Sequence, residues 1–140
     1  MDFPKWANNG CCRKVACKDM ELAVAQALRA ASALLELAND AINLGALSEV
    51  AMTTAAGAVK ETAAAVANAM EQDVGKLSPQ AVARARHGLV DMETLGDFGA
   101  LFGEHQITAR NAIYLAQAIR YTAEKAIREF EQVTRSLKGA

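Results

Sequence analysis

The most reactive side chains of the sequence lie close together. Cys11, Cys12 and Cys17 are the only cysteines, and Lys5, Arg13, Lys14 and Lys18 stand among or beside them. Nearby cations favour the thiolate and so raise reactivity. An odd number of cysteines leaves one to pair between chains. A structural zinc site asks for four Cys or His ligands, usually in C-x2–4-C pairs. The spacing here is C-C-x4-C, and His87 and His105 are the only histidines. A Cys3His site would have to borrow one of them from far along the chain, and a redox pair would more typically read C-x-x-C. Reduced thiols without a task are the simpler expectation, and no cofactor is expected.

Other residues that could do chemistry are scattered. His87 follows Arg84 by three positions and precedes Asp91 by four, on a helical stripe that faces away from Val82, Ala85 and Leu89 and is expected in solvent. Bundles that hold two irons use Glu-x-x-His on facing helices, and no glutamate here has a histidine three residues on. Glu104 and His105 are neighbours, so a helix would point them apart. Asp97-Phe98-Gly99 spells the metal-binding tripeptide of protein kinases. The other kinase motifs are missing and the chain is too short for that fold. Val74-Gly75-Lys76 ends like a phosphate loop, but Met70 and Leu77 occupy positions that should be Gly and Ser or Thr. Of the four serines, Ser32, Ser48, Ser78 and Ser136, two read as helix caps. No nucleophile, base and orienting group come together, and the chain is read as not an enzyme.

Two stretches read better as contact surfaces. The first, LGDFGALFGEH at 95–105, holds Gly96, Gly99 and Gly103 at i, i+3 and i+7. On a helix these share one bare face, flanked by Leu95, Phe98 and Phe102. Three glycines inside a helix cost about 1 kcal/mol each relative to alanine, so a neighbouring helix against the bare backbone would have to offset them. Alternatively the helix stops near Thr94 and the glycines form a loop, with the phenylalanines plugging the bundle end. The favoured expectation is a helix that breaks close to Gly103, with Phe98 and Phe102 buried against the last helix or a second subunit. A helix with room for one methyl tolerates Gly99→Ala, whereas a loop with positive φ does not. Leu95, Phe98, Gly99 and Phe102 are therefore candidate interface residues.

The second stretch is Arg110, Tyr114, Gln117, Tyr121 and Arg128, one stripe of the last helix with Lys125 beside it. Arginine and tyrosine on an exposed helix face are typical of protein interfaces. Interleaved with aromatics they also suit nucleic acid, but Glu124, Glu129 and Glu131 dilute the positive field. A protein partner is expected and a nucleic acid is not.

The elements that must position these residues are helices. The chain has 140 residues, net charge −1, 52% hydrophobic residues and only 5% aromatics. Alanine supplies much of the apolar total, favours helix and buries little area per residue. Such helices need close approach, many partners or oligomerisation. Pro4, Asn8, Asn9 and Gly10 make residues 1–18 an irregular, cysteine-containing arm, and 19–140 one helical domain. The first helix is expected from an Asp19 cap to Leu44, with a seam through Val24, Leu28, Ala31, Leu35, Ala38 and Ile42. The second runs from a Ser48 cap to Asp73, through Met52, Ala56, Val59, Ala63, Val66 and Met70. The third starts at Ser78-Pro79 and carries Val82, Ala85, Leu89 and Met92. The fourth runs from Thr108 to Lys138, through Ala109, Ala112, Ala116, Ile119, Ala123, Ala126, Phe130, Val133 and Leu137.

Steps alternating between three and four predict an all-α fold: an antiparallel up-down four-helix bundle, or extended helical hairpins completed by an oligomer. The longest uncharged run, Val50–Val59, is far short of the roughly 20 residues that cross a bilayer. The N-terminus lacks the pattern of a secretory signal, so the expected location is the cytoplasm or an assembly built from it. The expected function is non-enzymatic: a structural, assembly or adaptor protein that acts by packing against protein partners, first of all copies of itself. A phage or secretion assembly is one setting of that kind. The alternative is a small ligand-binding or thiol- and metal-sensing bundle that uses the three cysteines.

Overall fold

The computed structural model describes the backbone over residues 12–104 and 107–139, and the side chains over 19–73, 75–103 and 107–137. Among the described residues four α-helices follow one another: α1 (Cys12–Leu44), α2 (Glu49–Asp73), α3 (Pro79–Glu104) and α4 (Ala109–Gly139). A single 3-10 turn, Val74–Lys76, follows α2, and the described residues contain no strand.

Local chemistry sets most of the ends. Gly45 adopts φ 66°, and the Ala46 N–H donates to the Asp40 carbonyl at 3.3 Å, closing α1. The left-handed conformation at a helix C-terminus suits glycine, which has no Cβ to clash. Ser48 Oγ accepts from the Ala51 N–H at 3.2 Å, Ser78 Oγ from Ala81 at 3.1 Å, and Thr108 Oγ1 from Asn111 at 3.2 Å. Each hydroxyl satisfies one N–H that the first helical turn leaves without a partner. Pro79 occupies the first position of α3, where its missing N–H costs nothing.

The start of α1 is a correction. Asp19 is not a cap, because the helix already runs from Cys12. No glycine or proline lies between Gly10 and Gly45, and Arg13, Lys14, Ala16 and Lys18 are good helix formers. Residues 12–18 are thus helical rather than irregular. The remainder of the expected arm, with Lys5 and Cys11, lies outside the described residues.

The helices close into a square. α1 packs against α2 and α4, α3 packs against the same two, and α1 and α3 barely meet across the diagonal. Numbers rise on α3 as they fall on α2, with Gly96, Gly99 and Gly103 facing Lys60, Ala56 and Thr53. They run oppositely on α4 as well: Gly88 faces Phe130 and Asp91 faces Lys125. The fold is the antiparallel up-down bundle, closed within one chain, and not a set of open hairpins.

Every expected seam residue of α2 is buried, and so are those of α4 from Ala112 to Val133; Ala109 is exposed and Leu137 half-buried. On α1 the seam is displaced. Its centre is Met20, Val24, Ala27, Ala31, Leu34, Ala38 and Ala41, while Leu28, Leu35 and Ile42 are half-buried at its edge. On α3 the buried set includes Ala81, Ala85, Gly88, Met92, Leu95, Gly99 and Phe102, again in steps of four and three. Val82 and Leu89 lie at its edge. Alanine and glycine thus occupy central positions, and some larger side chains cover the flanks. Close approach of the helix axes favours that arrangement.

Candidate functional site

The glycine stretch is helix throughout its described part, and α3 continues past Gly103 to Glu104. Its bare face meets α2. A Cβ at position 99 would stand 2.6 Å from the Ala56 Cβ and 3.5 Å from the Met52 carbonyl oxygen. A Cβ at 103 would stand 2.8 Å from the Thr53 methyl, and one at 96 would stand 2.7 Å from Lys60 Cγ. The Lys60 stem crosses Gly96, and its ammonium reaches Asp97 at 3.0 Å. Thr53, Ala56 and Lys60 repeat the i, i+3, i+7 spacing of the glycines, so the two rows interlock. No room for a methyl remains at Gly99, because the opposing Ala56 Cβ is as fixed as backbone.

This contact belongs to the chain's own core. Leu95, Gly99 and Phe102 are buried there and Phe98 is half-buried against it. The assignment of Leu95, Gly99 and Phe102 as docking residues for a partner is corrected on that ground, because their surface is already buried within the chain. Sequence reading also missed Gly88. A Cβ there would lie 2.9 Å from Cζ of the buried Phe130, so this glycine makes room for the ring.

The stripe on α4 points outward. Tyr114 is 60% exposed and Tyr121 67%, and Arg110, Gln117 and Arg128 are exposed as well. At 100° per residue, Tyr114 and Tyr121 lie about opposite the seam through Ala116, Ile119 and Ala123. Ile113, 43% exposed, adjoins Tyr114. Leu44, Leu47 and Val50 are also exposed, around the α1–α2 turn, at the end of the bundle where α4 begins. Single exposed apolar residues are ordinary. Two tyrosines on one outer face are a stronger signal, because each ring offers large area at low entropic cost.

Charge inside the bundle is sparse and partly satisfied. Asp91 is buried on α3, contrary to the solvated stripe expected for it, and pairs with Lys125 of α4 at 3.5 Å. His87, one turn earlier, is exposed as expected. Asp73 is 1% exposed at the end of α2, and its Oδ1 accepts no hydrogen bond; Lys76 stands 3.9 Å away. Burial raises the Asp73 pKa above its ordinary value, with Lys76 opposing and Asp19 adding to the shift.

Among the described residues, two depressions open to solvent are of interest. One, about 350 Å³, lies between α2 and α3 over Ala63, Ala67 and Leu89, with Lys60, Glu93 and Asp97 at its rim. The other, about 260 Å³, lies between α3 and α4 and is polar. Neither is lined by histidine or cysteine. Among the described residues no three His, Cys, Asp or Glu side chains converge as metal ligands do. Cys11 and the side chains of Cys12 and Cys17 lie outside the described residues. Positions 12 and 17 of α1 are five residues apart, which is not the i, i+3 or i, i+4 spacing of neighbours on a helix surface. No described helix is long and apolar enough to cross a membrane. The chain matches no protein-family model, and no curated protein or solved structure matches it.

Proposed function

We propose that this chain is a non-enzymatic assembly or adaptor protein that acts by protein–protein association, first of all with copies of itself, through the outer face of α4. The observation that carries this reading is the exposure of Tyr114 and Tyr121 on one face, flanked by Arg110, Gln117 and Arg128. A twofold contact between antiparallel α4 helices, centred between Gln117 and Ala118, would set each Tyr114 against the partner copy's Tyr121. With about two-thirds of each ring free, four tyrosines would bury roughly 400–600 Å². That is at most half of the roughly 1,200–2,000 Å² of a stable complex. Ile113 and the arginine stems add to it, and the association is weak and concentration-dependent.

The dispersal of ionisable groups supports a non-catalytic role: His87 stands in solvent, while Asp73 and Asp91 are buried on separate helices. Glutamates beside the stripe make a protein surface a better partner than nucleic acid. The protein is proposed to work in the cytoplasm or within an assembly built from it. Multi-angle light scattering across a concentration series tests the reading. A mass rising above the 14.8 kDa of one chain supports it. A constant 14.8 kDa at high micromolar concentration overturns it.

A further inference from the structure

The polar depression between α3 and α4 is built from Gln80 and Arg84 on the first two turns of α3 and Gln132, Arg135 and Ser136 near the end of α4. Two guanidiniums from two helices therefore border one opening. No carboxylate lines it, and among the described residues neither arginine forms an ion pair. Glu131 lies one turn before Arg135 without bridging to it. Arg135 offsets the negative end of α4, but Arg84 stands near the positive end of α3, where a cation is unfavourable. Helix electrostatics alone thus give no reason for Arg84. Gln132 Oε1 finds no donor among the described residues. That oxygen is a buried acceptor left without a partner beside the opening.

We propose that this depression binds a small soluble phosphate, either inorganic phosphate or the phosphoryl group of a phosphomonoester. Arginine's planar fork of N–H donors matches the edges of a tetrahedral oxyanion, and two arginines meet two edges. The amides of Gln80 and Gln132 and the Ser136 hydroxyl supply further donors. The volume of about 260 Å³ falls below the roughly 300–1,000 Å³ of pockets for drug-sized ligands, which favours a small ion or headgroup over a nucleotide. The opening faces solvent, so binding is weak and salt-sensitive.

The test is a calorimetric titration of the full chain with inorganic phosphate and with glycerol phosphate, at constant ionic strength set by sodium chloride. Saturable millimolar binding is expected. Arg84→Gln and Arg135→Gln should each weaken it about tenfold, with unchanged helicity. Arg86→Gln, exposed on the same helix, should not alter it. Absence of saturation, or equal weakening by Arg86→Gln, would overturn the site. Binding to phosphatidic acid vesicles that requires Arg84 and Arg135, with no response to soluble glycerol phosphate, would overturn the assignment to a soluble ligand. None of these outcomes depends on self-association through α4.

Discussion

Replacing Gly99 with alanine adds one methyl at the tightest point of the α2–α3 contact. Helix propensity alone favours the change by about 1 kcal/mol. The contact opposes it. The new Cβ would lie 2.6 Å from the Ala56 Cβ, whereas carbon atoms rest at about 3.5–4.0 Å. Neither atom can rotate away, so the helices must separate by about 1 Å. That shift also loosens Gly96 against Lys60 and Gly103 against Thr53. Overpacking costs about 1–3 kcal/mol; with no flexible atom to yield, the upper part of that range, about 2–3 kcal/mol, applies, and after the propensity gain the net loss should be about 1–2 kcal/mol. Gly57, exposed on α2 with nothing within 4 Å of its Cβ position, is the control, and Gly57→Ala should gain up to about 1 kcal/mol. Guanidinium unfolding followed by circular dichroism measures both. The thermal counterpart is about 3–4 °C per kcal/mol for a chain of this size. A helical Gly99 tolerates alanine only with room for one methyl, and that room is missing, so alanine at this position does not distinguish helix from loop. A Gly99→Ala protein as stable as the parent, or the two variants shifting alike, would refute the interlocked contact.

Three other perturbations follow from the same packing. Gly88→Ala should cost about 1–2 kcal/mol against the Phe130 ring, and Phe130→Leu in that background should recover part of it in a double-mutant cycle; strict additivity would contradict the contact. Leu34→Ala should cost about 2–5 kcal/mol and Leu35→Ala clearly less, which denaturant midpoints of the two variants will separate; equal losses would restore the seam through Leu35. Asp73→Asn should raise the melting temperature at pH 7. A carboxylate whose pKa is raised in the folded state contributes stability below its ordinary value of 3.8, and that contribution is lost as pH rises through the folded value. The gain from asparagine should therefore vanish near pH 3, and a gain independent of pH would contradict the burial argument.

How far the fold was legible follows from what each position can signal. Met52, Val59, Val66 and Met70 announce the α2 seam because large apolar residues repeat there against alanine. The caps at Ser48 and Ser78 were legible because a hydroxyl before a helix has one local use. The α1 seam was misplaced because Ala27 and Ala41 carry no more apolar signal than exposed alanines, while Leu28 and Leu35 draw the eye to the edge. On α3, Gly88 and Gly99 are central seam positions, yet glycine reads as punctuation. Its meaning depends on Phe130 and Ala56, which lie far off in sequence. The outward stripe of Tyr114 and Tyr121 was legible from spacing alone. The depression bordered by Arg84 and Arg135 was not, because it needs the antiparallel register of α3 and α4.

Self-association through α4 is decided by sedimentation equilibrium on the parent chain and on Tyr114→Ser/Tyr121→Ser. The parent mass should climb above 14.8 kDa with concentration, and the double variant should stay at one chain with unchanged helicity. A parent that remains at 14.8 kDa throughout, or a double variant that associates as strongly as the parent, would contradict it.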